Sequence, residues 1–144
     1  MNKHILILGK GFIGQRLQQE LNCRIDDSKI NCFSDTQKLI REYRPKIIIN
    51  CIGISGKRNV DDCELKKDAT LLANSFVPVI LAEEALRNHI KLVHISTGCI
   101  FNYNSQADLP IEEESRDYFF KLFYSRSKIY AERAIEPLTR DYNI

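Results

Sequence analysis

No apolar run in the chain approaches the ~18–20 residues that span a bilayer, so the sequence predicts no membrane helix. The N-terminal run in MNKHILILGKG is short and meets a glycine-rich turn, which reads as a strand and not a signal peptide. There is no block of lysine and arginine, and a net charge of +2 carries no signal for nucleic acid or an acidic partner. No Cys-x-x-Cys pair occurs. The five cysteines, at 23, 32, 51, 63 and 99, are an odd number, which argues against a disulfide framework or a zinc site. They fit reduced thiols and predict a cytoplasmic location. Repeats, low-complexity tracts and linkers are also missing. What remains is 144 residues with 44% apolar and 28% charged side chains, enough for one domain with a real core.

His4-Ile5-Leu6-Ile7-Leu8 is a continuous apolar run, as expected of a parallel strand buried on both faces. Gly9-Lys10-Gly11-Phe12-Ile13-Gly14 follows directly, and Gln15 to Leu21 has the apolar spacing of a helix. This is Gly-x-Gly-x-x-Gly between a strand and a helix, the context that gives the motif its meaning. Gly9 allows the turn, Gly11 lets a pyrophosphate approach the backbone, and Gly14 lets the helix pack on the strand. The helix N-terminus offers N–H groups and a positive dipole end to phosphates.

An acidic residue is expected about 20 residues beyond such a motif, at the end of the second strand. Asp26 and Asp27 lie a little early for it. They favour a free ribose 2′-hydroxyl, whereas Arg24 or Lys29 suits a 2′-phosphate, leaving NADH and NADPH both open. A plain turn explains Asp26-Asp27-Ser28 equally well.

Ile30 to Phe33 reads as a short third strand, and Ser34 or Asp35 as the cap of a helix over Thr36–Tyr43 that Pro45 stops. Lys46 to Ile52 is a fourth strand ending at Asn50-Cys51-Ile52-Gly53. The loop from Ser55 to Glu64, with Lys57, Arg58 and Asn59, is either a binding loop or a solvated connection. Glu64 to Asn88 has the apolar coverage of one long helix, with Pro78 as a kink or break. Asn74 within it reads, by itself, as a surface residue.

Lys91 to Phe101, KLVHISTGCIF, is a fifth buried strand ending in Ser96, Thr97, Gly98 and Cys99. Ligands of open α/β sheets gather at the carboxyl ends of strands. The hydroxyls either serve chemistry there or satisfy turn backbone, as Ser and Thr often do. Asn102 to Asp117, with Glu112, Glu113 and Glu114, reads as an exposed excursion. Tyr118 to Arg133 then reads as a helix closed by Pro137, and Asp141 to Ile144 as the start of a sixth strand. In that helix Tyr124 and Lys128 stand four apart, on one face.

A dinucleotide loop, a strand-end hydroxyl and a Tyr-x-x-x-Lys pair together compose a carbonyl reductase site. Reduction needs a hydride donor and a proton for the developing alkoxide. A phenol with an unperturbed pKa of ~10 is a sluggish acid at neutral pH, and a fixed ammonium nearby favours its ionised form. Tyr124 and Lys128 fit those roles, and Thr97 fits the group that orients the substrate oxygen.

These pieces (GKGFIG, KIIINCIG, the helix with Ala73-Asn74, HISTGCIF and FYSRSK) resemble the extended short-chain dehydrogenase/reductase family across nearly the whole chain. The resemblance implies a Rossmann doubly wound parallel sheet of strand order 3-2-1-4-5, with residues 1–144 as the NAD(P)-binding domain, stopping at the sixth strand without the C-terminal substrate lobe. It implies Thr97, Tyr124 and Lys128 as the catalytic triad and Asn74 as the helix asparagine of the usual tetrad. The cofactor set becomes Gly9, Gly11, Phe12, Ile13, Gly14, Lys29, Cys51, Ile52, Gly53, Asn74, Tyr124 and Lys128.

GISGKRNVDDCE, TGCIFN and FYSRSK are similar, more narrowly, to the 3,5-epimerase/4-reductases of UDP-L-rhamnose synthesis. The dTDP-4-dehydrorhamnose reductases are similar too, but their strand typically ends Ser-Thr-Asp-Tyr-Val-Phe where this chain has Gly98-Cys99. GDP-fucose synthases, which also epimerise before reducing, resemble this chain in placing a cysteine two residues after the catalytic hydroxyl. Epimerisation beside a ketone needs an acid/base on each ring face, and a thiol of unperturbed pKa ~8.5 can serve. Cys99 is thereby implied as an epimerase acid/base; as a bland alternative it is a small core residue.

The expected function is NAD(P)H-dependent reduction, with 3,5-epimerisation, of a 4-keto-6-deoxy nucleotide sugar, without nucleic acid, membrane or metal. A homodimer through the Asn74 and Tyr124 helices is implied by the likeness. A non-catalytic cofactor-binding or regulatory subunit on the same fold is the alternative, and an epimerase with a tightly held cofactor a third reading.

Overall fold

The computed structural model describes residues 1–57, 59–102, 111–112, 115 and 118–142, with side chains to Thr139. The expectations for Arg58, Glu113, Glu114, Asn143, Ile144 and most of the acidic excursion lie outside the described residues. Among the described residues, four strands form one parallel sheet: β1 (Asn2–Leu8), β2 (Cys23–Asp26), β3 (Ile47–Asn50) and β4 (Lys91–His94), in the order β2-β1-β3-β4. Ile5 to Leu8 of β1 pair with Ile47 to Asn50 of β3, which in turn pair with Lys91 to His94 of β4. The order reverses beside β1, between β2 and β3, which opens a crevice at the strands' carboxyl ends.

Helices cover both faces. α1 (Phe12–Leu21) packs on β1 and β2, while α2 (Phe33–Tyr43), α4 (Val77–Arg87) and α5 (Phe123–Tyr142) build the other layer. Leu6, Leu8, Ile48 and Leu92 of the sheet meet Val77, Leu81 and Ala85 of α4 and Ala131 and Ile135 of α5 in the larger core cluster. Ile7 and Ile49 point to the opposite face and form a smaller core with Cys23 and Leu17. Alternation of this kind is what a strand buried on both faces requires.

The expected strand order is corrected. Ile30 to Phe33 is not a strand: the Asn31 and Cys32 N–H groups that a ladder would use donate to Asp35 Oδ2, at 2.8 and 3.3 Å. Cys32 and Asp35 form a reciprocal capping box, so α2 starts at Phe33, ahead of the expected Thr36. Without that strand, the expected 3-2-1-4-5 reduces to the observed order.

The long helix expected over Glu64–Asn88 is also divided. A 3₁₀ turn spans Val60–Leu65, α3 covers Lys67–Leu71, a π turn covers Leu72–Phe76, and α4 follows. Pro78 falls in the first turn of α4, where its missing N–H costs least. By length and composition Lys67–Arg87 could cross a membrane, but more than half of that stretch is buried inside the fold as its core helix.

At the C-terminal side, α5 passes through Pro137 and includes Asp141 and Tyr142, so neither the helix stop nor the sixth strand is seen there. Ile135 and Leu138, on either side of the proline, both pack into the larger core. Burial there outweighs the loss of one helical hydrogen bond.

His94 closes β4 beneath the site. The Asn50 amide donates to its Nδ1 at 3.1 Å, Asn50 Oδ1 being engaged by the Ile52 N–H, so the proton of the neutral ring sits on Nε2. Burial, with the nearby Lys128, pushes the imidazole pKa down to about 4. The folded state therefore prefers the neutral ring, and as pH falls below 6.5 the unfolded chain takes up the proton first. Stability should drop by about 2 kcal/mol between pH 7.5 and 5 from this residue. Urea midpoints across that range should show it, and His94→Gln should flatten the dependence; an equal slope in the variant refutes the assignment.

Candidate functional site

The glycine loop is shaped by three strand ends. Gly9 N donates to Asp26 O of β2 at 2.9 Å, and Cys51 N, just past β3, donates to Leu8 O at 2.9 Å. Gly9 has φ +98°, a conformation side chains rarely adopt, and a Cβ there would stand 3.0 Å from the Cys51 and Ile52 backbone. A Cβ on Gly14 would collide with the Gly9 carbonyl, so α1 can cross the loop this closely only with glycine. Beside Gly11 there is open space, and no side chain caps the first turn of α1. Unpaired helix N–H groups thus face a free approach.

A groove of about 530 Å³ runs from this loop along Lys29 on one side and Cys51, Ile52 and Gly53 on the other, toward Ala73 and Val77. Asp27 Oδ1 accepts from Lys10 N at 3.0 Å and pins its rim. Asp26 is turned away: it accepts from Ser28 N at 2.7 Å and from the Tyr43 hydroxyl at 2.9 Å. Burial alone would raise the Asp26 carboxyl, but these hydrogen bonds hold it below its ordinary value, and the Tyr43 phenol is pushed up to about 12 by the carboxylate it bonds. Arg24 lies over the Tyr43 ring at 5.5 Å. Of the four residues the sequence offers for the ribose, Asp27 and Lys29 line the groove. Phe12 is 85% exposed and Ile13 is also exposed, and neither lines the groove.

Asn74 is fully buried, which corrects its reading as a surface residue. The π turn presents its amide edge-on: Oδ1 accepts from Ile54 N at 2.7 Å, while Nδ2 donates to Ile54 O at 2.9 Å and Ser127 Oγ at 3.0 Å. Ser127 in turn donates to Tyr124 O at 2.7 Å, and Ser75 donates to Ser127 O at 2.6 Å. The loop after β3 is thereby joined to the Tyr-x-x-x-Lys turn of α5.

Lys128 is 5% exposed, and its ammonium donates to Ile95 O at 3.1 Å. Burial lowers its pKa, opposed by Glu132 and Cys51, and burial raises the Cys51 thiol, opposed by Lys128. A Cβ on Gly53 would lie 3.3 Å from Asn74 Oδ1 and 3.4 Å from Lys128 Nζ, so these groups converge at the groove's inner end. Tyr124, one turn before Lys128, is also buried.

Past β4 the chain stays extended to Thr97, whose Oγ1 accepts from Cys99 N at 3.2 Å and starts a 3₁₀ turn over Gly98–Ile100. With an acceptor site so used, the Thr97 hydroxyl proton is left to donate. Ser125 Oγ donates to Cys99 O at 2.7 Å, fastening this turn to α5. The start of α5 is itself capped from afar, because Glu64 Oε1 accepts from Phe123 N at 2.7 Å, with Arg126 3.6 Å from the same oxygen. That N–H, with Lys67 and Arg126, holds the Glu64 carboxyl below its ordinary range.

The structure therefore gathers the loops carrying Gly9, Gly11 and Gly53 with Asn74, Tyr124, Lys128, Thr97 and Cys99 toward the carboxyl ends of the strands. Sequence reasoning missed Glu64, Ser75, Ser125 and Ser127. The sequence carried a faint sign of the last two, alternating serines inside a helix that buries one side.

The family model described as RmlD substrate binding domain matches residues 3–144. The chain is 32% identical over 108 residues to a trifunctional UDP-glucose 4,6-dehydratase/UDP-4-keto-6-deoxy-D-glucose 3,5-epimerase/UDP-4-keto-L-rhamnose-reductase of Arabidopsis thaliana, covering 72% of this chain and 16% of that protein. It is 31% identical over 101 residues to a bifunctional dTDP-4-dehydrorhamnose 3,5-epimerase/dTDP-4-dehydrorhamnose reductase of the same plant, covering 67% of this chain and 34% of the relative. The crystal structure of dTDP-4-dehydrorhamnose reductase from Bacillus anthracis in complex with NADP superposes with a TM-score of 0.77 at 29% identity, over 96% of this chain and 50% of that one. The chain thus spans 16% and 34% of these curated relatives and half of the solved structure.

Asn74→Ala would leave Ile54 N without its side-chain partner and Ile54 O with only the Cys63 thiol, 3.6 Å away, in a partly buried setting. Its expected cost is about 3 kcal/mol, read from urea unfolding; a loss under about 0.5 kcal/mol, the scale of a surface substitution, would show the network to be dispensable.

Proposed function

Since the chain belongs to the RmlD substrate binding domain family, we propose that it is the dinucleotide-binding unit of a nucleotide-sugar reductase of rhamnose synthesis. The substrate is a 4-keto-6-deoxy sugar linked to UDP or dTDP, and epimerisation at C3 and C5 precedes reduction. The observation that carries this reading is the buried Lys128 ammonium, held by Ile95 O two residues before Thr97 and close to Gly53 of the groove wall.

The groove suits a nicotinamide dinucleotide. Open space at Gly11 and the uncapped first turn of α1, through Phe12, Ile13 and Gly14, accept a pyrophosphate. Lys29 on the groove wall, with Asp26 engaged by Tyr43, favours a 2′-phosphate and hence NADPH over NADH. Cys51, Ile52 and Gly53 wall the inner end, with Asn74 holding the loop behind them. When bound, the cofactor supplies hydride.

This chain's own residues handle orientation and protons. Thr97 donates a hydrogen bond to the C4 ketone oxygen and fixes its position. Tyr124 passes its phenolic proton to that oxygen as charge develops. Lys128 holds the nicotinamide ribose and presents positive charge beside the phenol; its tether to Ile95 O keeps it in place. For the preceding step, Cys99 is one of the two acid/bases that exchange the protons on the carbons next to the ketone. Exposed Phe76 and Tyr130 on the Asn74 and Tyr124 helices support a homodimer through them.

NADPH should raise the thermal midpoint of the chain, since a ligand of the native state stabilises it. In the full gene product, Tyr124→Phe and Lys128→Met should each cut NADPH-dependent reduction of UDP-4-keto-6-deoxyglucose at least ~100-fold, the lower end of the range for losing a positioned acid. A binding or regulatory subunit would instead take up NADPH and oxidise none with either the UDP or the dTDP sugar. Cys99→Ser should abolish solvent deuterium entry at C3 and C5; unchanged exchange would return the thiol to a packing role.

A further inference from the structure

Ser125 carries no role in the reductase chemistry, yet its hydroxyl is fully buried and committed to a single acceptor, the carbonyl of Cys99 at 2.7 Å. The other backbone end of Cys99 is held as well, its N–H donating to Thr97 Oγ1 at 3.2 Å. Between these two anchors the Cys99 side chain is exposed. A short 3₁₀ turn of three residues has little stiffness of its own, and neither Gly98 nor Cys99 is buried in the core. Ile100 seats the turn in the core, and the pair of anchors holds the two backbone ends of Cys99 itself. One comes from Thr97, past the end of β4, and the other from the residue next to Tyr124 on α5.

We propose that Ser125 is the positioning residue for the Cys99 thiol, coupling the epimerising group to the helix that carries the proton donor for reduction. The proposal rests on the epimerase reading of Cys99. Its physical content is a shared ruler. The Tyr124 phenol and the Cys99 thiol serve neighbouring carbons of one sugar ring, so their separation has to be held within a fraction of an ångström. Ser125, bonded to Cys99 and adjacent to Tyr124 in sequence, sets that separation by one hydrogen bond. Thr97 stands ahead of the turn, three residues past the end of β4, and holds the Cys99 N–H, whereas the Ser125 bond acts on the far side of Cys99. Loss of that bond should thus displace the thiol more than the group that orients the ketone.

The test is run on the full gene product with two substrates. UDP-4-keto-6-deoxyglucose in deuterated water reports epimerisation through label at C3 and C5. The already epimerised 4-keto-rhamnose nucleotide with NADPH reports reduction alone. Ser125→Ala should slow label entry about tenfold or more, in line with the sensitivity of catalysis to sub-ångström misplacement, while reduction changes less than about twofold. Ser125→Thr, which retains the hydroxyl, should recover most of the exchange, and thermal midpoints check that each variant is folded. An equal fall in both reactions would make Ser125 a general structural residue and overturn the proposal, as would unchanged label entry. Cys99→Ser measured alongside separates the two levels. If it abolishes exchange and Ser125→Ala does not slow it, the positioning role alone falls; if wild-type protein exchanges nothing, or Cys99→Ser exchanges normally, the epimerase reading falls and takes the proposal with it.

Discussion

A buried amide has to find partners for every polar atom it takes out of water, and the site is organised by how Asn74 does so. Its oxygen and nitrogen hold both backbone groups of Ile54, and its second N–H reaches Ser127. The requirement explains the π turn, since a wider turn at Leu72–Phe76 brings the side chain out of the regular helical register and into line with the loop after β3. It also explains the glycine at 53, which sits where any side chain would press on Asn74 and Lys128 together. One residue thus fixes the inner wall of the groove, the loop beside it and the turn of α5 that carries Tyr124.

Around that network the electrostatics follow from exclusion of water. Lys128, buried, and His94, half-buried at the end of β4, each lower their affinity for a proton for the same reason, the cost of a charge away from solvent. For His94 the outcome is a neutral ring that serves as an acceptor for Asn50. Lys128 is compensated by Ile95 O and by the nearby Glu132 and Cys51. An ammonium partnered by a carbonyl and not locked into a carboxylate keeps most of its field for whatever lies in the groove.

Much of this could be read from residues alone where local chemistry and tertiary demand agree. The loop from Gly9 to Gly14 is one case, because the backbone conformation and the close approach both require glycine there. The apolar strands at Ile5, Ile48 and Leu92 are another. Errors arose where packing or capping overrode a local signal. Ile30 is apolar and buried, as a strand residue would be, but its neighbours spend their N–H groups on Asp35. Pro137 should end a helix, yet Ile135 and Leu138 hold the chain in place around it. The partners of Asn74, Ser125 and Ser127 were illegible for a further reason: whether a polar side chain is solvated or buried depends on groups 20 to 53 residues away, and no local pattern says which.

The carboxylate of Glu64 at the head of α5 has a kinetic consequence. A helix gains from its cap while it is forming, but this cap is held 59 residues back along the chain. The pairing of β1 with β2 spans a much shorter stretch and can form early. The helix that bears Tyr124 and Lys128 must instead await the closure of a long loop before its first turn is secured. Securing the groove's inner end therefore requires a longer loop closure than the pairing of β1 with β2 does.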